Sequence, residues 1–148
     1  MDAQTLLSKC FLFRNLPAAD LAPVAAIAQE RHVAAGEMIF FAQDEGDEMF
    51  LIRLGSVSVQ KDGNELAKLA TGSHFGEIAL IDRQPRSATV KAREHTELLV
   101  LGRAQFDEVL EAHPSLAADI YRAFGVYLCR RLRRTDEQLA FLKERADS

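Results

Sequence analysis

The pattern of apolar and polar residues divides the chain into helical ends and a central region of short strands. Five glycines between residues 36 and 72 recur at intervals of 8 to 10 residues, and regularly spaced turn signals favour an antiparallel sandwich or barrel. Asp62-Gly63 predicts a hairpin turn. Between the turn signals, compact apolar or alternating segments predict strands at residues 38–41, 49–54, 56–60, 88–92 and 97–101.

Helices are predicted on both sides of the strands. Apolar residues at helical spacing predict two N-terminal helices, with Pro17 suited to the start of the second. A short helix over 103–112 should end before His113-Pro114, because the residue before proline disfavours helix. A longer helix follows and carries a stripe of apolar residues. The stripe is expected to pack mainly in the core as far as Leu132, and its last two residues could support a helix–helix dimer. The stripe is Leu116, Ile120, Phe124, Tyr127, Leu128, Leu132, Leu139 and Leu142.

Length and composition are those of one globular domain. The 148 residues are 48% hydrophobic and 27% charged, which excludes a disordered chain. We expect a single domain over 1–148, with helices in 1–30, strands in 31–102 and helices in 103–148. There is no apolar run of about 18 residues to span a bilayer and no secretory signal, and two distant cysteines suit a reducing cytoplasm. The net charge of −4 argues against broad nucleic-acid binding.

One segment, Phe75–Val90, combines the groups needed to bind a phosphate and a sugar. Gly76 permits close approach to the backbone, and residues 77–80 can begin a short helical turn whose free N–H groups favour an anion. Arg86 can hold a phosphate through two hydrogen bonds, with the Ser87 hydroxyl beside it. Glu77 would repel a phosphate but accepts hydrogen bonds from sugar hydroxyls. A phosphate fused to a ribose satisfies both groups.

This segment resembles the phosphate-binding cassette of the cyclic nucleotide-binding domains. The family pattern F-G-E-[IL]-A-L, four residues, then P-R-[STA]-A-T-V is matched at every position from Phe75 to Val90. The resemblance extends from about Leu12 to Arg134. It implies a mainly β fold with flanking helices: an antiparallel eight-stranded, jelly-roll-like β-roll, a short cassette helix and a C-terminal lid helix. It also implies binding of cAMP or cGMP without chemical change, and hence no enzyme activity and no cofactor.

The resemblance implies a role for each matching position. Arg86 would pair with the exocyclic oxygens of the cyclic phosphate, and Glu77 would accept from the ribose 2′-hydroxyl. Ser87 and the backbone N–H groups near Ala79 and Ala88 would complete the phosphate site. The remaining expected contacts are Gly76 and Ile78 at the ribose and phosphate, and Val59 and Leu69 at the purine.

Residues outside the cassette receive roles by the same comparison. The final helix resembles a lid over the base, with Arg131 first for the purine contact. The lid candidates are Leu128, Arg131, Leu132 and Arg134. Asp47 matches an acidic position that steadies the arginine from behind. Ser87 resembles a position that aids cGMP in some relatives and serves the phosphate in cAMP receptors, and we expect cAMP. Only fourteen residues follow Arg134, too few for the helix-turn-helix of the catabolite-activator branch.

Alternatives remain at this stage. The chain could be the binding domain of a larger channel or transporter, although its ends look like those of a complete small protein. It could be an interaction module that has lost its ligand, or a cupin-type enzyme, which would need a histidine cluster for a metal. The four histidines do not cluster in sequence, and we expect no metal site. Expected partners are the nucleotide, an unidentified effector protein and a second copy through the C-terminal helix, with no membrane insertion.

Overall fold

The structure, a computed structural model, describes residues 1–147, so the last residue of the expected 1–148 domain lies outside it. The described elements run along the chain in the expected order of helices, strands and helices. They are α1 (Ala3–Lys9), α2 (Ala18–Ile27), β1 (Gln29–Val33), β2 (Met38–Phe40), β3 (Glu48–Leu54), β4 (Ser56–Lys61), β5 (Asn64–Ala70), β6 (His74–Phe75), a 3₁₀ helix (Glu77–Leu80), β7 (Thr89–Ala92), β8 (Thr96–Gly102), α3 (Arg103–Ala112) and α4 (Pro114–Asp147).

The eight strands of this range form two antiparallel four-stranded sheets. Their strand orders are β1-β8-β3-β6 and β2-β7-β4-β5. The expected eight-stranded, jelly-roll-like β-roll with flanking helices and a short cassette helix is therefore confirmed.

Strands β3 and β8 are buried on both faces because successive side chains point to opposite sides of a sheet. Met49 and Leu51 on β3 pack against the helices, whereas Phe50 and Ile52 pack against the second sheet. One core therefore fills the roll, and another holds the helices against its outer face. This double burial explains why β3 reads as an apolar run rather than an alternating strand.

The β4–β5 hairpin turns where the sequence predicts it. Asp62 and Gly63 both have positive φ, of 53° and 79°, between the paired residues Lys61 and Asn64. This is the backbone of a tight hairpin turn, and glycine adopts it without steric cost.

Three strands were not predicted from the pattern. β1 begins at Gln29, before the expected start of the strand region, and both β1 and β5 are largely exposed. β6 has only two residues. Because most side chains of β1 and β5 face solvent, these strands are held mainly by backbone hydrogen bonds to a neighbouring strand, and the pattern of apolar residues does not identify them.

Helix α4 is docked on the roll only at its beginning. Leu116, Ile120 and Phe124 are buried, but Leu132 is 63% exposed, so the expectation that the stripe packs in the core as far as Leu132 is wrong. The second half of the helix extends past the edge of the core. Across residues 1–147, the structure contains no helix with the length and hydropathy needed to cross a membrane.

Truncating Phe124 tests this docking. Its side chain is 1% exposed, so Phe124→Ala should lower the free energy of unfolding by about 3–5 kcal/mol through lost burial and a residual cavity. Phe141→Ala, on the exposed half of the same helix, should change it by less than about 0.5 kcal/mol. Denaturant unfolding measures both, and equal effects would contradict the proposed boundary between the docked and exposed halves.

Candidate functional site

A cavity of about 400 Å³ lies between the second sheet, the 3₁₀ helix and the loop that leads into β7. Its wall is apolar where β2, β4, β5 and β7 contribute and polar where the cassette contributes. The lining residues are Phe40, Val59, Leu69, Phe75, Gly76, Glu77, Ile78, Ala79, Asp82, Gln84, Pro85, Arg86, Ser87, Ala88, Val90 and Arg131.

Most of the residues singled out from the sequence meet at this cavity. The structure brings together ten of them: Val59, Leu69, Gly76, Glu77, Ile78, Ala79, Arg86, Ser87, Ala88 and Arg131. Leu128 and Arg134 do not line it, although both lie on α4. Those two side chains are exposed in this structure, and their contact with the base stays a prediction.

Arg86 is a buried cation at the wall of the cavity. Its side chain donates from Nη2 to the Glu48 carbonyl oxygen at 2.8 Å and from Nη1 to the Gly76 carbonyl oxygen at 3.4 Å. The guanidinium carbon lies 4.1 Å from the centre of the Phe40 ring, which is a cation–π distance. Nε is buried and has no hydrogen-bond partner among residues 1–147.

Two glycines make room for this guanidinium. A Cβ atom on Gly46 would lie 2.2 Å from Nε of Arg86, and one on Gly76 would lie 2.9 Å from Nη1. Gly76 also has a φ of 74°, which side chains rarely adopt. Any larger residue at either position would displace the arginine, the backbone or both.

Asp47 does not touch Arg86 in the way the resemblance implies. No ion pair joins them within the described chain, and Asp47 is exposed. The direct contact comes from the backbone of its neighbour Glu48. Burial lowers the pKa of Arg86, and the carboxylates of Glu48 and Asp47 oppose that shift at longer range.

Glu77 is the buried anion at the same cavity, and both of its carboxylate oxygens already have partners within the chain. Its side chain receives a short hydrogen bond from the Tyr127 hydroxyl at Oε1, and Arg131 Nη1 lies 3.6 Å from the same oxygen. Nδ1 of His74 lies 3.5 Å from Oε2, an ion-pair distance. Tyr127 and Arg131 belong to α4, so the glutamate ties the last helix to the cassette.

Glu77, His74 and Tyr127 shift one another's pKa values. Burial alone would raise the pKa of Glu77, but His74 and the Tyr127 hydroxyl outweigh it and the pKa is lowered. Burial alone would lower the pKa of His74, but Cys10 and Glu77 raise it to about 10. Burial and the adjacent Glu77 raise the pKa of Tyr127. Glu77 is therefore a carboxylate that faces an imidazolium and a neutral phenol.

Several residues of the site were not predicted from the sequence. Phe40, Phe75 and Val90 line the cavity, and His74 and Tyr127 contact Glu77. Phe75 and Val90 are the ends of the cassette motif, so that motif already pointed to them. Tyr127 was assigned only to an apolar stripe, and nothing in the local sequence connects its hydroxyl to a residue 50 positions earlier.

The 3₁₀ helix differs from the expected anion site in one respect. The Ala79 N–H donates to the Gly76 carbonyl oxygen at 3.2 Å, so it is engaged inside the turn rather than free. The cupin hypothesis also finds no support here, because His74 alone approaches Glu77 and no histidine lines the cavity in the described range.

Known proteins resemble this chain in sequence and in fold. The family model for the cyclic nucleotide-binding domain matches residues 30–113, more than half of the chain. The cAMP-dependent protein kinase regulatory subunit of Blastocladiella emersonii is 35% identical over 126 residues, which cover 82% of this chain and 31% of that protein. The cyclic nucleotide-gated potassium channel of Mesorhizobium japonicum is 39% identical, covering 75% of this chain and 30% of the channel.

A solved structure agrees over nearly the whole chain. The N-terminal domain of a transcriptional regulator from Streptomyces coelicolor superposes with a TM-score of 0.77 and 31% identity, covering 90% of this chain and 94% of that one. By contrast, the chain spans about three tenths of the length of the curated relatives that it matches. The family match, the β-roll and the cassette residues gathered at one cavity agree, and the chain belongs to the cyclic nucleotide-binding domain family.

Proposed function

We propose that this chain is a non-catalytic sensor that binds cAMP in the cavity between the second sheet and the cassette. The observation that carries the proposal is the pairing of Arg86 and Glu77 at one cavity: a buried cation with an unpartnered Nε and a buried carboxylate. One end of this site suits an anion, and the other suits a hydroxyl donor. A cyclic phosphate fused to a ribose supplies both.

The apolar part of the wall supports a purine ligand. Val59 and Leu69 pack against the core inside the roll and line the cavity. Their faces offer no hydrogen-bond partner to a base, which suits adenine as well as guanine. The kinase relative is named for cAMP, and we therefore propose cAMP as the main ligand and cGMP as a weaker one, with Ser87 serving the phosphate.

The contact between Tyr127 and Glu77 supplies a route from ligand to helix. The Tyr127 hydroxyl and a ribose hydroxyl would compete for the same carboxylate. Ligand binding would then release Tyr127 and allow α4 to change its position. A ligand shifts such an equilibrium only as far as it binds one arrangement better than the other.

The exposed half of α4 is where a partner would detect that change. Leu128, Leu132, Leu139 and Leu142 are exposed and follow the spacing of a coiled-coil seam, with Thr135 at the intervening position. In a parallel pair of such helices, Arg131 of one copy would face Asp136 of the other. We propose that an effector protein or a second copy of the chain reads the helix in the cytoplasm. Both cysteines are free thiols, which suits that compartment.

Removing the arginine tests the site itself. Arg86→Ala should weaken cAMP binding by about 2–5 kcal/mol, because the buried phosphate of the ligand would lose its opposite charge. Isothermal titration calorimetry of ligand-free protein with cAMP and with cGMP measures this. The matched control is Arg83→Ala, which removes the same charge from an exposed position in the same loop.

Thermal unfolding of the ligand-free variants separates loss of binding from loss of fold. Arg86→Lys keeps the buried charge but loses the planar fork, and we expect it to bind with intermediate affinity. Equal cAMP affinity in the Arg86→Ala and Arg83→Ala variants would overturn the assignment of the phosphate contact. No binding of either nucleotide by well-folded wild-type protein would overturn the proposed function.

Removing the competing hydroxyl should strengthen binding. In Tyr127→Phe, no hydrogen bond from a phenol to Glu77 has to break before the ribose hydroxyl can bind. The cAMP affinity should therefore rise by about 1 kcal/mol, roughly fivefold. Tyr121→Phe, an exposed tyrosine on the same helix, should leave affinity unchanged. Weaker cAMP binding by the Tyr127→Phe protein would show that the hydroxyl supports the bound state and would refute the competition.

The imidazolium beside Glu77 predicts a pH profile. Because the pKa of Glu77 is lowered, the carboxylate stays ionised in mild acid, and wild-type cAMP affinity should be nearly level from about pH 7 to about pH 5. In His74→Gln, the largest interaction that opposes the burial of Glu77 is lost, the pKa of Glu77 rises, and cAMP affinity should fall toward pH 5. His113→Gln serves as the control, and identical profiles for all three proteins would exclude this role for His74.

A further inference from the structure

A second cluster of chemically active side chains lies on the solvent side of the first sheet. His32 on β1 pairs across the sheet with Glu97 on β8, and His95 lies in the loop just before β8. One ligand atom from each of the three residues falls within 4.8 Å of the other two. The histidines do not cluster in sequence, but the antiparallel β1–β8 register brings His32 beside His95, 63 residues away.

The distance between the two imidazoles matches a metal site. Nδ1 of His32 lies 3.3 Å from Nε2 of His95. Two nitrogens bound to a tetrahedral Zn²⁺ at their usual bond lengths are about 3.3–3.4 Å apart. Oε1 of Glu97 lies 3.9 Å from Nδ1 of His32, so a small rotation of that side chain brings it to the third vertex.

Neighbouring groups already orient these ligands. Nε2 of His32 lies 3.0 Å from Oε1 of Glu30, and a proton donated there leaves Nδ1 as the nitrogen with a free lone pair. Arg53 Nε donates to Oε2 of Glu97 at 3.3 Å, which turns Oε1 toward the histidines. A carboxylate behind a ligating histidine is the usual support of a zinc site, because it fixes the tautomer and raises the basicity of the ligand.

We propose that His32, His95 and Glu97 form a site for Zn²⁺ or a divalent ion of similar preference, with water completing the coordination. Two imidazoles and one carboxylate are ligands that such ions favour. The site joins the exposed edge strand β1 to the β7–β8 loop, so the ion stabilises the folded chain by binding it in preference to the unfolded one. The site is independent of the cyclic nucleotide cavity, because the two share no residue.

Titration with Zn²⁺ alone tests this site. Metal-free wild-type protein, in a buffer that does not bind zinc, should take up one Zn²⁺ per chain in calorimetry, and the same addition should raise its unfolding temperature. His32→Ala and His95→Ala should each lower the zinc affinity by more than about tenfold. Glu30→Gln, which removes the orienting carboxylate together with its ion pair to Arg53, should lower it by about tenfold. Co²⁺ should give the visible absorption of a four-coordinate ion in wild-type protein.

Two controls identify the ligands. His113→Ala removes an exposed histidine outside the cluster, and Cys129→Ser removes an exposed thiol that could bind zinc by itself. Both variants should bind zinc like wild type. All the substituted side chains are exposed, and circular dichroism checks each fold. Two results would overturn the proposal: no saturable Zn²⁺ binding by wild-type protein, or wild-type zinc affinity in both His32→Ala and His95→Ala. The contact between the two imidazoles would then be only a hydrogen bond.

Discussion

A guanidinium stays charged throughout the pH range in which proteins fold, so burying Arg86 obliges the surrounding chain to supply acceptors and a polarisable surface. The carbonyls of Glu48 and Gly76 provide the acceptors, and the ring of Phe40 provides the surface. These groups come from β3, the turn before the 3₁₀ helix and β2, three parts of the chain that the two sheets must first bring together. The positive wall of the cavity is therefore a consequence of the completed roll.

The two charged ends of the cavity are satisfied by different kinds of group. Arg86 rests on backbone carbonyls, one from β3 and one from the turn before the 3₁₀ helix. Glu77 rests on side chains, those of Tyr127 and Arg131 from α4 and of His74 from the end of β6. In the proposed sensor, the arginine end would contribute mainly affinity, whereas the glutamate end would contribute the signal. The kinase subunit and the channel that resemble this chain are each about three times as long as the segment that matches it.

The sequence predicts those parts of the fold in which neighbouring residues carry the information. The cassette is contiguous, the Asp62-Gly63 turn needs only local backbone geometry, and β3, β4, β7 and β8 lie in compact apolar or alternating segments. Strands β1 and β5 were not predicted because their pairing depends on backbone groups that every residue has. The bond from Tyr127 to Glu77 and the approach of His32 to His95 were not predicted for a related reason. Each joins distant positions through the arrangement of elements, and neither leaves a local pattern.

Helix α4 is continuous over 34 residues, and Tyr127 lies before its midpoint. At 1.5 Å per residue, the helix extends about 30 Å beyond that tyrosine. A tilt of about 10° at the docked end would therefore carry the far end through about 5 Å, half the diameter of a helix. The helix would therefore act as a lever that pivots at its docked end, beside the Glu77 carboxylate. The length of helix beyond that pivot sets how far the other end moves, independently of how tightly the cavity binds its ligand.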